Sequence, residues 1–255
     1  MVYVTGDCHG DFRRFNTRNF PEQRNMTRED VVIILGDFGG IWDCDCSSKE
    51  EEYWLDWLNE KTFTVLFIDG NHENFERLKE FPVVDLYGGK AHKIRSNIYH
   101  LMRGYIFEIQ GRKFFAFGGA SSHDISDGVL DANDYESWGD FLRVYHSWVK
   151  KRKSFRVNHL SWWAEELPTE DEMRRAEQIL KENGCKVDYI LTHCCPQEVA
   201  SMISQGAYKA DILTNWFNTI AHMVEFHGWY FGHYHGESDI YCKFHMRYEK
   251  IERII

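Results

Sequence analysis

Four short apolar runs are each followed closely by a glycine-led polar motif. The runs are Val2-Tyr3-Val4-Thr5, Val31-Val32-Ile33-Ile34-Leu35, Thr64-Val65-Leu66-Phe67-Ile68 and Gly228-Trp229-Tyr230-Phe231. The motifs are Gly6-Asp7-Cys8-His9-Gly10, Gly36-Asp37, Gly70-Asn71-His72-Glu73 and Gly232-His233-Tyr234-His235. Short runs rich in β-branched and aromatic residues, bounded by Gly, predict buried strands. Each motif then falls at the carboxyl end of a strand, where open α/β sheets bind ligands.

Between the first three runs the pattern turns helical. Residues 11–19 predict a short helix with Asp11 as its cap. Residues 49–60 predict a helix with Tyr53, Trp54, Trp57 and Leu58 on one face. Residues 74–80 predict a third, ending before Pro82. This β-α-β-α-β order implies a parallel sheet with right-handed crossovers. Residues 98–101, 105–109 and 113–117 are closely spaced strands with turns at Gly104 and Gly111-Arg112, a β-meander assigned to a second sheet. A buried strand at 187–191 delivers His193 to the same edge. Helices are expected at 169–183, with Thr169 and Glu172 as a capping box and Gly184 as the stop, and at 210–225. Strands at 240–246 and 248–254 close the chain.

One segment stands apart. Residues 124–158 follow Gly118-Gly119-Ala120-Ser121-Ser122-His123, start acidic and end basic, with a helix expected at 138–149. A stretch this long between strand and helix reads as a lid or mobile insertion over a cleft, or as an interface or solvated excursion. Its rings Tyr135, Trp138, Phe141, Tyr145 and Trp148 and its cations suit a base and a phosphate respectively.

Composition narrows the class. With 255 residues and 43% hydrophobic content, the chain can bury a substantial core. A formal charge of -10 disfavours long polyanions as partners, although bound metals would reverse the sign locally. No apolar run has the length of a membrane span. The first strand starts at Val2 without a basic segment or apolar stretch ahead of it, so no signal peptide is expected. The seven Cys form no regular framework, which points to reduced thiols and a cytoplasmic home. Cys44 and Cys46, like Cys194 and Cys195, lack the spacing of a zinc ribbon and read as core or loop residues.

The strand-end motifs carry the chemistry. Carboxylate, imidazole and amide donors suit Mn, Fe or Zn better than a thiolate cluster would. Their order is Asp-x-His, Gly-Asp, Gly-Asn-His-Glu, a lone His after a strand, and Gly-His-x-His. From Gly6 to His235 that order resembles the calcineurin-like metallophosphoesterase superfamily. The resemblance implies one α/β domain over residues 1–255, a four-layer α/β/β/α sandwich with two central mixed sheets. It also implies two divalent metal ions, with manganese preferred and Fe, Zn or Ni as alternatives. Asp7, His9 and His235 match the ligands of the first ion, Asp37 the bridging carboxylate, and Asn71, His193 and His233 the ligands of the second. His72 matches a catalytic histidine that faces substrate. The expected reaction is hydrolysis of a phosphate mono- or diester by a metal-bridging hydroxide, with His72 assisting the leaving group.

Departures from known branches bear on the substrate. The protein phosphatases of the superfamily follow the second Gly-Asp with Val-Asp-Arg-Gly and place Arg before Gly-Asn-His-Glu. Here Phe38-Gly39-Gly40 and Ile68-Asp69 stand in those places. The Gly118 to Ser122 block and Trp162-Trp163-x-Glu165-Glu166-Leu167-Pro168 resemble a bacterial and phage branch in which these blocks lie closer together. Residues 124–158 are therefore read as an insertion. Arg13 and His123 are candidate substrate contacts, and Arg14 shares the position after the first motif. Trp162 and Trp163 can stack a base, but core and rim positions suit them better. His92, His100, His222, His227 and His245 have no motif context and read as structural. A phosphorylated small molecule or nucleotide is the preferred substrate. The alternatives are a nuclease or cyclic-nucleotide phosphodiesterase and, outside catalysis, an inactive protein-binding scaffold.

Overall fold

Alternation along the strands decides which face of each sheet is which. In the computed structural model, which describes residues 1–44 and 46–255, the first three strands are β1 (Val2–Thr5), β2 (Val31–Leu35) and β3 (Thr64–Ile68). Val2, Val4, Val31, Ile33, Leu35, Leu66 and Ile68 face one buried cluster, and Tyr3, Val32, Ile34, Val65 and Phe67 face another. Period-two side-chain direction turns two-sided burial into near-continuous apolar runs.

The chain continues through β4 (Val83–Leu86), β5 (Gly89–Arg95) and β6 (Ile98–Leu101), then β7 (Tyr105–Ile109) and β8 (Arg112–Phe117). A short pair follows, β9 (Gly128–Leu130) and β10 (Phe155–Val157). The last strands are β11 (Tyr189–Thr192), β12 (Gly228–Phe231), β13 (Ser238–Ile240), β14 (Phe244–Met246) and β15 (Glu252–Arg253). One mixed sheet has the order β15-β1-β2-β3-β6-β5-β4 and the other β13-β14-β12-β11-β8-β7. Their facing sides share a core in which Val4, Ile33 and Leu66 meet Phe107, Phe114, Ala116 and Leu191.

Helices cover both outer faces. α1 (Lys49–Asn59) lays Leu55 and Leu58 on the first sheet, and α2 (Phe75–Glu80) adds Leu78. α4 (Glu170–Glu182), α5 (Gln197–Ser204) and α6 (Ile212–Met223) cover the second with Met173, Leu180, Val199, Leu213, Phe217 and Ile220. The layers are therefore α/β/β/α, as expected. Full burial of a ring such as Phe67 contributes about 1.5–3 kcal/mol. The expected capping box of α4 is present, with Thr169 and Glu172 each satisfying the other's backbone N–H.

Register places the motifs. Thr5 pairs with Ile34 and Ile34 with Phe67, so β1, β2 and β3 end level. In the other sheet Phe117 pairs with Thr192 and Thr192 with Phe231. All of these strands are parallel, so their carboxyl ends share one edge.

Several expectations fail locally. Residues 11–19 hold only a 3-10 turn, Arg13–Phe15, and Asp11 folds back to accept from the Arg13 N–H instead of capping a helix. The supposed meander is divided: β6 pairs with β3 in the first sheet, while β7 and β8 open the second. The turn at Gly104 is the crossing point between sheets. The strand expected at 240–246 is a β13–β14 hairpin, broken at Tyr241 and Cys242, both at positive φ. From 248–254 only β15 is a strand. The β4–β5 hairpin was not foreseen.

Within residues 124–158, β9 and β10 pair in parallel and α3 (Trp138–Lys150) packs beside them. Leu130, Phe141 and Val157 form a separate buried cluster with Tyr135, Tyr145, Trp148 and Phe155 around it. The rings of this segment pack on one another, with Trp138 still exposed. Trp138 stacks on Phe141 at 4.9 Å, and Trp148 meets Phe155 edge-on at 5.2 Å.

Candidate metal centre

Five strand ends converge. β1 delivers Asp7 and His9, β2 delivers Asp37, and β3 delivers Asn71 and His72. β11 delivers His193, and β12 delivers His233 and His235. His9, Asp37, His233 and His235 all have left-handed backbones, with φ of 48°, 46°, 65° and 49°. Each such non-glycine residue costs about 1–3 kcal/mol, a strain that clusters at functional sites. Gly70 is needed for contact: a Cβ there would stand 2.0 Å from Asp37 Oδ1.

The donor atoms are close. His235 Nε2 is 3.1 Å from Asp7 Oδ2, and His9 Nε2 is 3.1 Å from His235 Nε2. His193 Nε2 is 3.2 Å from Asp37 Oδ1 and 3.3 Å from Asn71 Oδ1. His9 Nδ1 lies 3.8 Å from Asp37 Oδ2. Among the described residues, three overlapping groups have donor atoms within 4.8 Å of one another: Asp7, His9 and His235; His9, Asp37 and His72; Asp7, Asp37 and His193. No cysteine belongs to these groups. Cys194 and Cys195 are buried, and burial pushes the Cys195 thiol up to about 12.

Neighbouring groups aim these donors. The Nδ1 of His193 faces the Leu35 carbonyl at 2.7 Å, which turns Nε2 toward Asp37 and Asn71. The N–H of His233 donates to Asp7 Oδ1 at 2.9 Å and that of His72 to Asp37 Oδ1 at 2.8 Å. Asn71 Nδ2 donates to Ser122 Oγ at 3.4 Å, and Ser122 is held by Glu166 through its N–H and hydroxyl at 2.9 and 2.6 Å.

Charge is unevenly shared. Burial works to raise the Asp37 carboxyl, but His193, His72 and His9 outweigh it and hold it well below the usual range. Burial likewise opposes a charge on His193, yet Asp37 and Asp7 lift it to about 10. Burial lowers His9 and His72, each against the pull of Asp37. Burial, reinforced by His193 and His123, drives His233 well below its ordinary value. The adjacent Asp7 carboxylate raises His235.

The set fits hard cations. Asp7 Oδ2 is buried without a hydrogen bond, beside the Nε2 atoms of His235 and His9 at 3.1 and 3.8 Å. A buried carboxylate oxygen left unpaired is costly, and a cation satisfies it. Imidazole nitrogens that face each other gain in the same way.

Not every expected residue joins the cluster equally. His233 lies outside the three groups, although its ring is 4.9 Å from that of His193. Its Nε2 is instead 2.7 Å from His123 Nε2. Arg13 is exposed and forks onto Asp11, at the rim of a cleft that also reaches Asp7 and His9. Arg14 is structural: it donates to the carbonyls of Asp7 and Tyr248, both at 2.5 Å. Trp163 is buried, as its core reading required.

Sequence reasoning missed three supports. Glu73 Oε1 accepts from the Phe38 N–H at 2.7 Å. Asp69 accepts from Arg103 and faces His100 beneath the Asn71 loop. Glu166 anchors Ser122 as described. Only the acidic residue inside each motif hinted at these roles, because the partners lie far away in sequence.

A family model described as calcineurin-like phosphoesterase matches residues 1–251. Lariat debranching enzyme A of Xenopus laevis is 28% identical over 173 residues, covering 62% of this chain and 30% of that relative. The lariat debranching enzymes of Mus musculus and Homo sapiens are each 29% identical over 172 residues, with the same shares of both chains. The chain spans less than a third of the length of these curated relatives.

Proposed function

The chain belongs to the calcineurin-like phosphoesterase family, a hydrolase acting on phosphate esters, and on that premise we propose that it uses two divalent cations to hydrolyse a small phosphorylated molecule or nucleotide. The observation that carries this reading is the convergence of Asp7, His9, Asp37, His193 and His235 donors at one edge of two sheets. Asp7, His9 and His235 would hold one ion, and Asn71, His193 and His233 the other, with Asp37 shared. Manganese suits this mixture of oxygen and imidazole donors, as do Fe, Zn and Ni. When bound, the ions neutralise phosphate charge and activate the attacking water.

The chain's own groups do the rest. Asp37 stays ionised because the surrounding histidines favour its charged form. His72 adjoins the cluster, with its ring 5.1 Å from that of His9. It is placed to give a proton to the leaving oxygen. Arg13 at the rim and His123 beside His233 are proposed contacts for the substrate. Residues 124–158 are proposed as an insertion in a single domain spanning residues 1–255. No helix among the described residues is long and apolar enough to cross a membrane. We place the protein in the cytoplasm on its cysteine pattern.

A second reading has specific support: the relatives named lariat debranching enzymes favour a phosphodiester within a larger branched substrate. An inactive scaffold would have no need to retain seven ligand residues and His72 at one edge. The test is a panel of phosphomonoesters and phosphodiesters assayed with Mn, Ni, Zn, Mg and Fe. Turnover of any ester that depends on added ion is the expected result. No turnover across the panel, with no ion bound, would leave the scaffold.

A further inference from the structure

Beyond His9 and His72 the cleft opens into a pocket of 310 Å³. Gly10, Gly39 and Gly40 are among its lining. Gly39 has φ +65°, and a Cβ there would stand 2.6 Å from the Gly10 nitrogen. No arginine or lysine lines the pocket among the described residues. Its walls are aromatic, with Trp42, Trp54 and Phe12, and the exposed carboxylate of Glu50 stands at its side.

Trp42 is held in place. Its ring lies 5.8 Å from His72 and 5.6 Å from buried Trp163. The Glu51 carboxylate accepts from the N–H groups of Trp42 and Asp43, each at 3.3 Å. Arg77 grips Glu51 and also donates to the Asp43 carbonyl at 3.1 Å. Asn74 donates to that carbonyl at 2.9 Å. Trp54 is fixed on α1, edge-on to Phe12 at 6.1 Å. A rigid aromatic wall loses little entropy when a planar ring stacks on it.

The pocket's charge selects the ring. The exposed Glu50 carboxylate, with no cation partner beside it among the described residues, repels phosphate and other anions but can accept hydrogen bonds from exocyclic amines and ring N–H groups, whereas Glu51 is already paired with Arg77. We propose that this pocket is a nucleobase subsite, seating the base of a nucleotide ester whose phosphate reaches the cluster of Asp7, Asp37 and their histidines. The proposal rests on the phosphoesterase reading of that cluster and names its substrate class. The base can belong to a free nucleotide or to a strand end, since the ring chemistry is shared.

Two measurements test it. In the first, adenosine, guanosine, cytidine and uridine, which carry no phosphate, are titrated into the protein with and without Trp42→Ala or Trp54→Ala. At least one nucleoside should bind, and its affinity should fall about 10-fold or more in each variant, the effect of losing one stacking surface. Trp42→Phe should restore most of it. In the second, the metal-loaded enzyme is given a nucleotide ester, a short oligonucleotide and glycerol phosphate. The preference in kcat/KM for the base-bearing ester over glycerol phosphate should collapse by about the same factor. A loss confined to the oligonucleotide assigns the base to a strand, and a loss on both assigns it to either source. Unchanged nucleoside affinity and unchanged preference in both variants, with native circular dichroism, overturn the subsite. If the wild type turns over no ester with any ion, the phosphoesterase reading fails, while the nucleoside titration still decides this one.

Discussion

The backbone N–H of His72 donates to Asp37 Oδ1 at 2.8 Å, so the end of β3 holds the carboxylate at the end of β2 through its main chain. The imidazole of His72 takes no part in that bond. Its removal should therefore separate chemistry from metal binding. His72→Ala is expected to retain metal and to lose turnover by about 10²–10⁴-fold on esters with poor leaving groups, the range of a positioned acid. Elemental analysis and steady-state kinetics on the same preparation check both halves. Parental turnover on such esters would remove His72 from proton transfer.

Asp37 should behave in the opposite way. It belongs to two of the three donor groups and is the carboxylate proposed to be shared. Asp37→Asn keeps the size of the side chain but removes its charge. Metal content and activity are expected to fall together, and added Mn should restore neither at stoichiometric concentration. Full metal occupancy in the variant would show that Asp37 is not the shared ligand.

The edge carrying these residues was legible because buried parallel strands write themselves as continuous apolar runs, and glycine marks where each one ends. Asp7, Asp37, Asn71 and His233 follow such runs directly. What failed had mixed exposure or depended on distant partners. Strand β4 alternates exposed and half-buried residues and sits at a sheet edge, so its pattern resembles a loop. The split between β6 and β7 is a tertiary choice, since both runs are apolar and only packing decides which sheet each joins. The pairing of His123 with His233 spans 110 residues, and no local spacing announces it.

Asp69 immediately precedes the Gly70-Asn71-His72 motif and is fully buried against Arg103, with Arg103 Nε at 2.8 Å and His100 Nε2 at 3.1 Å. Burial opposes its charge, but Arg103 and His100 outweigh that and hold its carboxyl well below the usual range. A depressed carboxyl gives stability that is present above its unfolded value, near pH 4, and is lost as pH falls toward the folded one. Asp69→Asn leaves the buried Arg103 unpaired and should cost about 3–5 kcal/mol at neutral pH. Urea denaturation between pH 3 and 7 should show a lower midpoint for the variant and a flatter acid limb. An unchanged acid limb would place the pH dependence elsewhere.

Glu73 shows the reverse sign. Burial first, and then the Asp37 charge, raise its carboxyl well above the usual range, and its Oε2 has no hydrogen-bond partner. A raised carboxyl gives stability that is complete below its unfolded value and is lost as pH rises through the folded one. Glu73→Gln mimics the neutral acid and keeps an acceptor for the Phe38 N–H. In metal-free protein it should match the wild type near pH 5 and exceed it in thermal midpoint near pH 9. A lower midpoint at the alkaline end would mean that the ionised form is the stabilising one.

Arg156 ties the two ends of residues 124–158 together through Asp124, at 2.8 Å. Its charge acts on His72. Burial lowers His72 most, Asp37 pulls the other way, and Arg156 lowers it further by disfavouring a second nearby cation. Removing the guanidinium should therefore let the His72 pKa rise. If His72 donates its proton to the leaving oxygen, activity requires the protonated form and is lost as pH climbs through that pKa. Arg156→Gln is then expected to move the basic limb of kcat/KM to higher pH while leaving metal content as it was. The profile must be measured on an ester with a poor leaving group, where protonation limits the rate. A limb that stays in place would show that this segment does not tune His72, and a limb that moves down would reverse the sign of the interaction.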